Sequence, residues 1–156
     1  MPAKTNGYTI FSTCRNPYDR LVALWNSLLH APDDRNNYRH AWMSVIRADD
    51  FLSFCRFVAK HHTRIEHMAS VRTPTLMTPQ YRWYRKLPEN VIPLHLESIH
   101  DEFHALPFVD HEVTIPHRLK RKHATWDELK NDEIIECANK WAGEDFEKFG
   151  YQKEGV

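Results

Sequence analysis

Apolar positions along this chain change period at Arg15. Tyr8 to Cys14 (YTIFSTC) is rich in β-branched and aromatic residues and carries no charge and no proline, the pattern of a buried strand. Leu21, Leu24, Trp25 and Leu28 follow at i, i+3, i+4 and i+7, a single apolar helical stripe. Between them, Asn16 offers an N-cap side chain, Pro17 stands at a first helical position, and Asp19 suits the positive end of the helix. The prediction is an interior parallel strand over 8–14 running into a helix over 17–30.

Further along, Ala31 to Asn37 is a polar loop, and Asp50 can cap a helix over Phe51 to Lys60 that turns Phe51, Phe54, Cys55 and Val58 to one side. Thr78-Pro79 is a second cap-then-proline start. Val91 to Glu97 reads as a short strand, with Pro93 marking an edge or irregularity. Ser98 with Asp101, and more closely Thr125 with Glu128, have capping-box spacing. The last helix is predicted to start near Asp132, to bury Ile135, Ala138, Ala142 and Phe146, and to stop at Gly150. Trp25, Trp83, Trp126 and Trp141 read as core residues. These elements describe a helix-rich α/β fold with a short parallel sheet, in which ligands gather at the carboxyl ends of the strands.

Composition narrows the class. At 156 residues one domain spanning 1–156 is expected, and 42% hydrophobic residues with only four glycines favour an ordered globular chain. Formal net charge is zero, so no nucleic-acid partner is expected, and an RNA-binding reading rests on one local basic patch alone. Cys14, Cys55 and Cys137 form no CxxC motif or disulfide framework, which predicts a reducing compartment. With no apolar run of transmembrane length and no signal peptide at the start, the expectation is a cytoplasmic protein without a membrane span.

The candidate chemistry starts at Arg15. It follows the predicted strand and sits beside the unpaired amides of a helix N-terminus, a ready-made anion site. The competing reading pairs Arg15 with Asp19 or a neighbouring carboxylate. Arg20, five residues on, either turns back to the same site or braces Asp19 or another helix. His117, Arg118, Lys120, Arg121, Lys122 and His123 form the one dense basic run, either a loop that closes over phosphates or a solvated surface. Candidate bases are His61, His62, Glu66, His67 and Glu97, the last at a predicted strand end. His100 and His104 share a helix face, but no third ligand stands at recognisable spacing, so no metal is expected. Tyr81, Trp83 and Tyr84 are available to stack on a base.

The segment RNPYDRLVALW (Arg15 to Trp25) resembles the 3'-phosphate-binding motif of sulfotransferases in the carbohydrate and membrane-associated branch, which use 3'-phosphoadenosine-5'-phosphosulfate (PAPS) as donor. Arg15, Asn16, Pro17, Tyr18, Asp19, Arg20, Leu21 and Trp25 match that pattern, and Ala23 departs from its usual serine. MTPQYRWYRKL (77–87), VIPLHLESIHDEF (91–103), TIPHRLKRKH (114–123) and WAGEDFEKFGY (141–151) are similar to later family segments in the same order. The resemblance implies a P-loop-NTPase-like sulfotransferase fold, truncated at its N-terminus. It implies transfer of a sulfuryl group from PAPS to a hydroxyl or amine acceptor, a carbohydrate among the options. It implies cofactor binding by Arg15, Asn16, Arg20, Arg118, Lys120 and Lys122.

The family's 5'-phosphosulfate loop has no clear counterpart. Pro2-Ala3-Lys4-Thr5-Asn6-Gly7 resembles it superficially, but Lys4 precedes the predicted strand whereas Arg15 follows it. Seven strand residues at about 3.3 Å each put the two ends roughly 23 Å apart. An oligomer or partner chain completing the site is therefore one expectation. A non-catalytic relative that binds a nucleotide or another protein is the alternative to an enzyme.

Overall fold

The computed structural model describes residues 8–29, 48–63, 77–110, 112–115 and 124–155. Two strands, β1 (Phe11–Cys14) and β2 (Ile92–His95), pair in parallel with Phe11 opposite Ile92 and Cys14 opposite His95. Around them stand α1 (Pro17–Leu29), α2 (Phe51–His61), α3 (Gln80–Tyr84), α4 (Ile99–His104), α5 (Trp126–Leu129), α6 (Asp132–Trp141) and α7 (Gly143–Phe149). The described chain is thus a mixed, helix-rich α/β structure with a two-stranded parallel sheet. None of its helices is long and apolar enough to cross a membrane.

The strand is shorter and more exposed than its composition suggests. Tyr8 is 78% exposed and precedes β1. Pairing begins where the Ile92 N–H donates to the Ile10 carbonyl at 3.0 Å. Phe11 itself is 41% exposed and meets the edge of the Phe103 ring at 5.9 Å. Among the described residues β1 has a partner on one side only, so apolar composition there does not translate into an interior strand. The second strand also ends early. Leu96–Ser98 winds into a 3-10 turn, so Glu97 leaves the sheet plane.

Helix α1 follows its pattern. Leu21, Val22 and Trp25 are buried, and Leu24 and Leu28 pack partly buried against the same core. Helix α2 is capped by Asp50, whose Oδ1 accepts from the Ser53 N–H at 2.7 Å. It lays Phe51, Phe54, Cys55 and Val58 into the core against Trp25 and helix α6. Arg56 on its outer face makes a two-pronged bond to Glu133. The Thr125–Glu128 capping box forms as predicted.

Four local expectations fail for identifiable reasons. The predicted final helix is two helices: Ala142 adopts φ −114°, ψ 25° and breaks the axis between α6 and α7. On the first of these helices Ile134, Ala138 and Trp141 form the buried face at i, i+4 and i+7, so Ile135 is only partly buried, while Ala142 and Phe146 stay in the core. Ser98 caps nothing; its hydroxyl donates instead to Glu102 Oε1 at 2.7 Å. Thr78 does not cap α3 either, because a carboxylate from α7 takes that role. Trp83 is 44% exposed, unlike Trp25, Trp126 and Trp141, which are core residues. Gly150 ends α7 in the left-handed region, φ 71°, as the terminal glycine predicts.

Candidate functional site

The carboxyl ends of the two strands converge on the Arg15–Asn16 junction. Asn16 behaves as an N-cap: its Oδ1 accepts from the Tyr18 N–H at 2.9 Å, and its carbonyl accepts the first helical bond from Arg20 N–H at 2.9 Å. Pro17 is buried and has no N–H to satisfy. Two side chains distant in sequence then clamp the junction backbone. Gln80 accepts from the Arg15 N–H at 2.9 Å through Oε1 and donates to the Arg15 carbonyl at 2.8 Å through Nε2. Glu97 accepts from the Asn16 N–H at 2.7 Å through Oε1, and its Oε2 accepts from the Tyr151 hydroxyl at 2.8 Å.

Behind Gln80 lies a buried polar centre. The Asp145 side chain is fully buried, and its two oxygens accept from the Gln80 and Tyr81 N–H groups at 2.8 Å each. These bonds cap α3 from α7. Burial pushes the Asp145 carboxyl above the ordinary range, against the two amides and Arg20, which favour its charged form. Arg20 approaches the same carboxylate at 3.9 Å, donates to the Thr78 carbonyl at 2.7 Å, and lies 5.2 Å over the Trp141 ring. Burial lowers its pKa to about 10, with Asp145 opposing, which leaves the guanidinium charged at neutral pH. Arg20 therefore ties α1 to the segment before α3 and to α7.

Arg15 presents the reverse arrangement. Its backbone is held by Gln80 and its side chain is half-buried. Among the described residues the guanidinium has no hydrogen-bond or ion-pair partner, Asp19 included. A fixed backbone with an unengaged cation is the geometry of a side chain available to an anion.

The strand ends carry a second titratable group of residues. Cys14 is buried, with its sulfur 4.0 Å from the Tyr151 hydroxyl, and burial pushes its thiol up to about 11. Tyr151 is also raised, first by burial and then by its bond to Glu97. Neither group is ionised at neutral pH, so neither offers a nucleophile there. His95, one residue before the 3-10 turn, meets Glu102 and the Phe149 carbonyl.

The remaining candidates lie elsewhere. His61 ends α2 with its ring 4.7 Å from Phe57, and His62 follows it with Nδ1 2.8 Å from the Ala59 carbonyl. Both stand at the C-terminal end of a helix that packs chiefly on α6. Glu97 is at the strand ends, but both its oxygens are engaged. His100 and His104 stack at 5.3 Å, and both His104 nitrogens meet backbone carbonyls, those of His100 and Val113. No group of three metal-ligating side chains occurs among the described residues. Tyr84 is held by an edge contact to Phe149 and a 2.6 Å bond to the Ser12 carbonyl, while Tyr81 packs under Arg85. Lys4, Glu66, His67, Arg118, Lys120 and Lys122, with the rest of the basic run, lie outside the described residues.

Gln80 and Asp145 are the positioning residues that sequence reading passes over. Each is an ordinary polar residue in the first turn of a short helix, and its role depends on a partner some 65 positions away. The available signal is that each sits inside a segment already resembling a family block, after a proline in one case and before a phenylalanine in the other. Comparison with family models, curated proteins and solved structures finds no match to this chain.

Proposed function

We propose that this chain is a sulfotransferase-type domain whose strand-end site grips the 3'-phosphate of PAPS and serves transfer of its sulfuryl group to a hydroxyl or amine acceptor. One observation carries the reading: the junction backbone of Arg15 and Asn16 is clamped by Gln80 and Glu97 while the Arg15 guanidinium keeps no partner among the described residues. The order of the motifs supports the same reading. The donor set suits a phosphate, since a guanidinium forms paired charge-assisted bonds to its oxygens. Asn16 serves here through its backbone and cap rather than as a free donor, because Glu97 already takes its N–H. Arg20 serves the site from behind, through Asp145 and Gln80.

Sulfuryl transfer asks the protein mainly for positioning and charge stabilisation. Arg15 would fix the nucleotide end of the donor. The basic run with Arg118, Lys120 and Lys122 resembles in position the family's nucleotide-contacting loop, and Lys120, Arg121 or Lys122 reaching in from it would serve the phosphosulfate end. The non-catalytic reading draws support from Glu97. With one oxygen on Asn16 and the other on Tyr151, that carboxylate acts as a strut and is not free to take an acceptor's proton.

The test is a thermal-shift titration with adenosine 3',5'-bisphosphate. A ligand at a hundred times its dissociation constant stabilises the fold by about 2.7 kcal/mol. Arg15→Ala is expected to weaken binding by on the order of 1.5–3 kcal/mol, the range for hydrogen bonds to charged groups. Equal binding by parent and Arg15→Ala defeats the assignment. Turnover of labelled PAPS with sugar, peptide and phenolic acceptors then separates an enzyme from a binding module.

A further inference from the structure

His95 is held between two acceptors. Its Nδ1 is 2.9 Å from Glu102 Oε1, and its Nε2 is 2.8 Å from the Phe149 carbonyl. A neutral imidazole has one N–H and one lone pair, so it can donate to only one of these. The other contact would then set two lone pairs against each other. Both distances are satisfied together only when both nitrogens carry protons.

Glu102 is well placed to hold that charge. Its Oε2 accepts from the His95 backbone N–H at 2.6 Å, and its Oε1 also accepts from the Ser98 hydroxyl. The other groups facing the ring are Glu97 from the 3-10 turn, Tyr151 with its ring edge-on at 5.3 Å, and Cys14 at the paired position on β1. The charged ones, Glu102 and Glu97, are both acidic.

We propose that His95 is carried as an imidazolium and acts as a pH-sensitive latch, fastening the C-terminal end of α7 to the strand ends. Burial by itself favours the neutral ring, but the Phe149 carbonyl and Glu102 outweigh it and raise the pKa above the ordinary 6.5. The sign follows from linkage. Because the folded value is raised, the latch is fully closed below the ordinary histidine value and opens as pH rises through the folded one. On losing a proton the ring keeps the stronger, charge-assisted bond to Glu102. The Phe149 carbonyl is then released.

What the latch controls is readable from the contacts beyond it. Phe149 leads through Gly150 to Tyr151, whose hydroxyl holds Glu97, and Glu97 holds the Asn16 N–H. Opening therefore loosens the strut on the junction. The tail has a second anchor that contains no histidine. The Glu154 N–H donates to the Tyr18 hydroxyl, its side chain accepts from Trp126 Nε1 and pairs with Lys130, and its carbonyl accepts from Asn139. This anchor stays closed across the same pH range and serves as an internal reference. The latch does not depend on what the junction binds.

Long-range ¹H–¹⁵N spectra of the imidazole nitrogens, with amide hydrogen exchange from mildly acidic to mildly alkaline pH, test the proposal on the intact chain. Both His95 nitrogens should be protonated at pH 6.5, with a titration midpoint above the ordinary histidine value. Protection of the Tyr151 amide, which donates to the Phe146 carbonyl, should fall through that midpoint relative to the Glu154 amide. His95→Gln keeps one donor and cannot titrate, so it should abolish the difference. A neutral tautomer at pH 6.5 overturns the proposal, as does parallel exchange of the two amides in the parent or an unchanged pH response in His95→Gln. Should that variant fail to fold, the ring spectra of the parent decide alone.

Discussion

Arg15 and Arg20 flank one strand–helix junction, five residues apart, and the fold uses them in opposite ways. Arg20 turns inward to the Thr78 carbonyl, Asp145 and the face of Trp141. Arg15 has both its backbone groups held by Gln80 and its charged end unengaged among the described residues. A guanidinium drawn into the interior needs an opposite charge beside it, because an unmet buried charge costs several kcal/mol. One at the mouth of the junction can leave its charge to solvent or to a ligand. The same residue type in the same motif is thus a brace or a binding group according to where the backbone aims it.

The sharpest way to break the comparison is at Asp145. Its ionic contact to Arg20 is long, at 3.9 Å, whereas its bonds to the Gln80 and Tyr81 amides are 2.8 Å. The amide bonds therefore carry most of its role. Asp145→Ala leaves both amides without their acceptor and takes the carboxylate away from the buried Arg20, and is expected to cost about 3–5 kcal/mol in urea unfolding. Asp145→Asn keeps one acceptor and should cost less. A loss for Asp145→Ala no larger than about 1 kcal/mol, typical of an exposed pair, would remove the distinction between the two arginines.

Gln80 connects the two regions, so its replacement gives an intermediate effect. Gln80→Ala leaves the Arg15 N–H and carbonyl without their partner, for a loss of about 1–3 kcal/mol. The partial exposure of this site places the result toward the lower end. Binding of the bisphosphate should fall with it, because the guanidinium loses its fixed origin. The smallest stability effect belongs to Arg15→Ala, expected within about 0.5 kcal/mol of the parent in urea unfolding. Paired with its larger effect on ligand affinity, that result separates a binding arginine from a structural one. A substantial loss of stability would show that Arg15 braces the fold as Arg20 does.

Sequence alone determined what lies within a few residues of its cause. The Asn16, Asp50 and Thr125–Glu128 caps, the stripe of α1, the core face of α2 and the Gly150 stop all appear where local pattern puts them. Caps and periodicity act over a turn or two, so neighbouring residues suffice to encode them. Tertiary structure alone decided the partners. It placed Asp145 on the start of α3, Gln80 on the Arg15 backbone, Glu97 on Asn16 and His95 between Glu102 and Phe149. It also left Trp83 and Phe11 exposed, and it broke the last helix at Ala142. Apolar composition states a tendency to be buried, but only packing supplies the surface that buries it. A polar side chain has several possible partners, and which one it meets is settled when elements distant in sequence are brought together and their unpaired donors and acceptors must be matched.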